Sequence, residues 1–286
     1  MLGLGSSLSK TGKKSTFSPL RIKDLVGWWD FSDPKYIYSD AGATKVTHGD
    51  GIQQVNNKAF HLQSNRQTAL GTHFYQATSG NRPLWNSQGY AYFDGSDDYL
   101  VCNNVTGNVA TDKLSDTTLN ATGMTIFYVI NSLDGGSGVS SDQVLFHAQT
   151  TDNAAHRFSV VIDDDSTNDQ WGYVIQDNAA RTILENRSGR SIKDGMESWT
   201  IHLDSTSASS IYADGQPALG IVNGTSSNTD YDFSENENNI GIFIGGKASN
   251  DSANIHVYQV LIYDRALDTK EIQLVNRYLN SRNQIF

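Results

Sequence analysis

The chain has 286 residues, of which 37% are hydrophobic and 18% charged, and its formal net charge is −10. That apolar content can fill a core and excludes wholesale disorder. The longest apolar runs, such as Ile126 to Ile130, fall far short of the ~20 residues a membrane-crossing helix needs, so no membrane insertion is expected.

The charge is unevenly spread. Residues 1–23 contain Lys10, Lys13, Lys14, Arg21 and Lys23 and no acid, which leaves sixteen bases against thirty-one acids on the rest of the chain. The leader is rich in Gly, Ser and Lys, shows no sustained hydrophobic period, and is predicted to order only against something else. It reads as a basic docking arm, residues 1–23, on an acidic domain, residues 24–286. Lys10, Lys13, Lys14 and Arg21 are predicted to pair with acidic grooves of a neighbouring protein chain, and Phe17 and Leu20 to fill its pockets. Nucleic acid is not an expected partner, because the acidic body repels phosphates. The glycines of the leader do not make a phosphate loop: six residues separate Gly5 from Gly12 where the loop needs four. No apolar signal core is present, so export is not expected and the five Asn-x-Ser/Thr sequons are read as idle.

Beyond the leader the pattern is β. Strands are predicted at Leu25–Asp30, 90–94, 99–102, 144–147, 157–163, 171–176, 210–213 and 240–245. Trp199, Ile201 and Leu203 alternate with Thr200 and His202, which predicts one buried and one wetter face. The runs 124–131 and 254–263 are apolar on both faces, as central strands covered on two sides must be. Asp94-Gly95 and Asp214-Gly215 are predicted hairpin turns. Trp28 and Trp29 are expected in the core, or one in the core and one against the arm, and the lone Cys102 is expected as a small core residue. The last element is a helix: Asp268 caps it with Glu271 as reciprocal partner, and Ile272, Val275 and Leu279 form one stripe with Tyr278 beside it.

Several of these segments carry a resemblance. Trp28-Trp29-Asp30-Phe31-Ser32-Asp33, the stretch Tyr38 to Asp50, Gln76-Ala77-Thr78 with Asn81-Arg82-Pro83, and Phe93 to Leu100 follow one another in order. Together with the closing VYQVLIYDRALDTKEIQLVNRYL, they resemble concanavalin A-like (laminin G-like) domains common in tailed-bacteriophage structural proteins and bacterial surface proteins. The resemblance implies an all-β, two-sheet antiparallel jelly-roll sandwich, here with an extended N-terminal arm and a short C-terminal helix. It implies no activity by itself, since the fold hosts lectins, glycosidases and inert structural domains alike.

Catalysis is not expected. Glycosidases of this fold use paired acidic residues, and this chain has five Glu. Glu235 and Glu237 have the i, i+2 spacing but sit in a polar Asn-rich stretch, and Glu271 is taken by helix capping. The seven His are scattered singly, with no metal-ligand spacing among them. No cofactor is required; calcium is considered at Asp163, Asp164, Asp165 and Asp169, the densest oxygen cluster, and secondarily at Asp94, Asp97 and Asp98. A glycan site is considered at Trp171 and Tyr173, followed by Asp177 and Asn178, and at Trp85 in another polar loop. The expectation is a non-enzymatic virion protein of a tailed phage, assembled in the host bacterial cytoplasm in several copies per particle. It would decorate the capsid or form part of the tail, baseplate or fibre, and bind other virion proteins through its arm. The alternative is a carbohydrate-binding adhesin for glycans of the host surface.

Overall fold

In a computed structural model, the described residues are 17–62, 73–102, 123–133, 143–150, 157–163, 170–178, 181–191, 195–203, 210–218, 221–223, 240–246 and 252–285. Their strands form two antiparallel sheets stacked as a sandwich. The first sheet runs in the order Gln216–Ala218, Ser210–Ala213, Gly195–Leu203, Met124–Ser132, Asn254–Tyr263, Tyr90–Asp94 and Leu84–Asn86, with Leu25–Asp30 also paired to Asn254–Tyr263. The second runs Ile221–Asn223, Arg181–Ser191, Gln170–Asn178, Arg157–Asp163, Gln143–Thr150, Ile240–Ile244, Leu100–Cys102, His73–Tyr75, Gln54–Asn56 and Ile37–Tyr38. Between them lies a core of alternate residues from both inner faces, including Trp29, Phe31, Phe74, Phe93, Tyr128 and Phe146, with Cys102 at its edge. Trp29 meets Phe74 edge-on at 4.5 Å between ring centres, and Tyr128 meets Phe146 at 6.2 Å. These edge-to-face pairs across the sheets add to the burial energy of the rings.

The outer face of the first sheet is apolar as well, and the chain covers part of it with its own ends. Helix α1 (Lys58–Leu62) contributes Ala59. Helix α2 (Thr269–Asn283) lays Ile272, Val275 and Leu279 over Trp28, Phe127, Val129, Leu261 and Tyr263. The capping box forms as the sequence requires: the Glu271 amide donates to Asp268 Oδ1, and Glu271 Oε2 accepts from the Asp268 amide. Asn276 is also buried on this face, accepting from Ser198 Oγ at 3.1 Å and from Thr200 Oγ1 at 3.4 Å. The polar face of Gly195–Leu203 is therefore dry where it meets the helix, and its hydroxyl groups are satisfied by one carboxamide.

Residues 17–22 are part of this cover. Pro19 and Ile22 are buried, Phe17 and Leu20 pack on the outer cluster, and Phe17 meets Tyr278 edge-on at 6.2 Å. The Tyr263 hydroxyl donates to Pro19 O. Phe17 and Leu20, expected to fill a neighbour's pockets, are partly buried here against the outer cluster of their own chain, which contains Trp28 and Leu261. Of the expected docking residues, Arg21 is exposed, and Lys10, Lys13 and Lys14 lie outside the described residues. Trp29 is in the inter-sheet core and Trp28 lies beneath the helix and the 17–22 segment.

The motif residues of the resemblance are structural where they are described. Asp30 is fully buried; its Oδ2 pairs with Lys58 Nζ at 2.9 Å, and its Oδ1 accepts from the amide and hydroxyl of Ser32. Lys58 also reaches Asp33 at 3.0 Å and lies 4.5 Å from the Trp28 ring centre. Asn57 bridges Leu25–Asp30 to α1, accepting from the Trp28 amide and donating to Val26 O. Arg82 ties its loop to Gln76 O and Ala77 O. Asp40 accepts from the amides of Ala43 and Thr44, and the hydrogen bond with the Thr44 side chain, followed by those amides, pulls its carboxyl down to about 2.

One turn differs from expectation. Asp214-Gly215, with φ of 51° and 74°, closes a hairpin as predicted. Asp94-Gly95 does not: Tyr90–Asp94 is in the first sheet and Leu100–Cys102 in the second, so residues 95–99 arch between sheets. Phe93 and Leu100 both point into the inter-sheet core. The Asp94 amide bonds to Asp98 Oδ2 at 3.1 Å.

The buried Asp30–Lys58 pair yields a direct test. Lys58→Met strips the main counter-charge from a carboxylate with no solvent access, and is expected to cost ~3–5 kcal/mol of unfolding free energy in urea titration.

Candidate functional site

The first sheet keeps one part of its outer face open, at the edge away from α2. The register builds it. Leu84 stands opposite Tyr92, and Tyr92 opposite His256, so three strands present these residues in one row. Asn86 stands opposite Tyr90 in the next row. Ala91, Phe93, Ile255 and Val257 alternate with them and enter the core. The rings hold one another: Tyr90 stacks on the His256 imidazole at 3.9 Å and 23°, and Tyr92 meets it edge-on at 5.6 Å. Tyr258 lies 5.4 Å from Tyr90. With His48, Gly49 and Leu133 these residues enclose a cleft of about 460 Å³. Burial lowers the pKa of His256, so the ring facing the cleft is neutral at neutral pH.

Trp85 borders this cleft but is not the exposed plane that sugar stacking needs. It is 8% exposed, and its Nε1 donates to Phe31 O at 3.0 Å. Its strand position points it into the inter-sheet core opposite Ala91, which consumes the ring. Trp171 and Tyr173 stand two apart on Gln170–Asn178, opposite Ile162 and Val160. Asp177 and Asn178 end that strand. The side chains of all four lie outside the described residues, as do Asp164, Asp165 and Asp169; Asp163 is the last residue of Arg157–Asp163. The sequence reading missed Tyr90, Tyr92 and His256. The alternation of Tyr90 and Tyr92 with Ala91 and Phe93 was visible, but only the register with Asn254–Tyr263 shows that they meet His256.

The second place of interest is the arch. Asp94, Asp97 and Asp98 can each offer a carboxylate oxygen, all within 4.8 Å of one another. Three such ligands are half or fewer of the six to eight that calcium takes, and Asp98 is already engaged by the Asp94 amide. Burial, and then the neighbouring charges of Asp94 and Asp97, push the Asp98 carboxyl up to about 7.

No protein-family model matches the chain, and no curated protein matches it in sequence. Solved structures do match. Trypanosoma rangeli sialidase in complex with sialic acid aligns at a TM-score of 0.54 and 14% identity, over 91% of this chain and 33% of the sialidase. The same enzyme with 2,3-difluorosialic acid, a covalent intermediate, aligns equally. Domain 4 of AbnA, an extracellular arabinanase from Geobacillus stearothermophilus, in complex with arabinotriose, aligns at 0.49 and 13% identity, over 87% and 97% of the two chains. The chain thus spans about a third of the length of the sialidases it matches. The fold is a jelly-roll-like β-sandwich. At such identity the likeness establishes architecture and nothing of activity.

Asp98 sets a pH dependence. Its carboxyl binds a proton more tightly in the folded chain than in the unfolded one, so its contribution is complete below about pH 4 and is lost as pH rises through about 7. The melting temperature, followed with chelator present, is expected to fall across that window. Asp98→Asn keeps an oxygen for the Asp94 amide and is expected to flatten the fall. An equal fall in the variant contradicts the assignment.

Proposed function

We propose that this chain is a non-enzymatic structural module of a tailed-phage particle, held by residues 1–16 and projecting its sandwich outward. The observation that carries the reading is where the leader joins the body. Residues 17–22 pack on the outer cluster beside α2, so a leader bearing Lys10, Lys13 and Lys14, with no acid and no core of its own, joins a strongly acidic domain at an anchored segment. Such a segment suits acidic grooves on neighbouring capsid or tail proteins, where many copies in one particle multiply weak contacts. The resemblance to concanavalin A-like phage domains supports the same reading. So does the state of the buried acids: Asp30 is paired with Lys58, Glu197 accepts from Trp199 Nε1, and Asp98 accepts from the Asp94 amide. Asp30 and Glu197 are thereby engaged by partners other than a carboxylate, and Asp98 has the Asp94 and Asp97 carboxylates within 4.8 Å on a turn and not across a cleft of the kind glycoside hydrolysis uses. Assembly in the bacterial cytoplasm belongs to the proposal, and no cofactor is needed for it. A calcium role at the arch would show as a rise in melting temperature on calcium addition; an unchanged value removes it.

The second reading is contact with glycans of the host surface, and the aromatic cleft on the open part of the first sheet favours it. Both can hold on one particle.

Deletion of residues 1–16 is expected to abolish incorporation into particles while leaving the melting temperature within about 2 °C of the full chain, since surface changes away from packed groups cost little. Deletion of 1–23 is expected to lose stability as well, because it removes Pro19 and Ile22 from the outer cluster. Full incorporation of the shorter deletion contradicts the proposal.

A further inference from the structure

Leu62, Leu84 and Leu133 are the exposed large apolar side chains among the described residues, at 47%, 44% and 39% exposure. Two of the three stand at the rim of one cleft. Between them, Tyr90, Tyr92 and His256 form a wall whose rings fix one another. A wall already held in place loses little freedom when a ligand arrives. Its volume of about 460 Å³ lies within the range of small-ligand sites.

Among the described residues, the lining contains no Asp, Glu, Lys or Arg. His256 is neutral because burial disfavours its charged form. Hydrogen-bonding capacity is nonetheless present. Asn86 Oδ1 accepts from the Gln88 amide, which leaves its own amide nitrogen; His48 accepts from the Ser87 amide at Nδ1, which leaves Nε2. Flat apolar rings with a few neutral hydrogen-bonding groups match a ligand with apolar faces and a rim of hydroxyl groups. A wholly apolar ligand would leave those groups unpaired, and an anionic one would meet no Lys or Arg among the described lining residues.

We propose that this cleft binds an uncharged saccharide, packed against the half-buried Tyr92, which His256 and the buried Tyr90 stacked on it hold in place, and entering beside Leu84. The proposal rests on the glycan reading above and narrows it to one site and one class. The sialidases of similar fold are complexed with sialic acid, an anion; the described lining residues offer no guanidinium or ammonium group to receive one.

The test uses the full chain, with lactose, maltose and cellobiose as neutral probes and 3′-sialyllactose as the charged one, followed by titration calorimetry and ligand-observed NMR. At least one neutral disaccharide is expected to bind, with 3′-sialyllactose binding no more tightly. Tyr92→Ala is expected to weaken binding by about tenfold, the loss of one ring contact with its buried area. Leu84→Ser, at an exposed rim position that the fold does not depend on, is expected to weaken it by about threefold with an unchanged melting temperature. Neutral binding untouched by both substitutions overturns the site and leaves the glycan reading standing. Tighter binding of 3′-sialyllactose that both substitutions weaken keeps the site but overturns the class. Absence of binding by every probe overturns the inference and the glycan reading together.

Discussion

Met124–Ser132 and Asn254–Tyr263 are apolar on both faces, and a sheet centred on them must be covered twice. The second sheet supplies one cover. Among the described residues the other cover comes from α2, the single turn of α1 and the segment just before Leu25–Asp30. The two ends of the body meet on the outer face, where Phe17 touches Tyr278 and the Tyr263 hydroxyl reaches Pro19. Burying Trp28, Phe127, Leu261 and Tyr263 at about 1.5–3 kcal/mol each makes this cover a principal part of the stability.

That cover is incomplete, and its limit defines the molecule's surface. Where α2 and residues 17–22 lie, the face is closed and the leader begins. Beyond them, toward the edge strand Leu84–Asn86, the same face bears tyrosines and histidine in place of aliphatic side chains, and a cleft stays open. The Asp30–Lys58–Asp33 cluster sits near this division and joins Leu25–Asp30 to α1. Buried charges of this kind are costly unless every partner is present. Here Ser32, Lys58 and the Trp28 ring surround the carboxylates and ammonium group on several sides.

Much of the fold was legible in the sequence because alternation and capping are local. Leu25–Asp30, Tyr90–Asp94, Arg157–Asp163, Ser210–Ala213 and Asn254–Tyr263 lie where alternation puts them, and α2 begins at its capping box. Gln54–Asn56 and Ile37–Tyr38 were not legible: two or three residues carry no period, and their strand character comes from neighbours. Arg181–Ser191 was missed because polar residues fill its second half. The arch at 95–99 was misread as a hairpin, since a turn sequence fixes a reversal but not the sheet to which the chain returns. The cleft was hardest to foresee. Trp85 drew attention as the larger aromatic residue, yet it is spent on the core. The half-open positions fell to Tyr92 and His256, with the buried Tyr90 stacked behind, brought together from distant parts of the chain by the register of Asn254–Tyr263.

The sandwich alone does not distinguish a lectin from an enzyme or an inert spacer. What separates them is which surfaces the chain closes for itself and which it leaves for others. Amide hydrogen exchange at Arg21 and Ile22 addresses this most directly, because their amides donate to Ser18 O and Pro19 O in the turn that packs on the outer cluster. Protection at both, comparable to that of α2, is the expected result. Exchange at the rate of an unfolded peptide, with Asn254–Tyr263 still protected, would show a free arm and contradict the account.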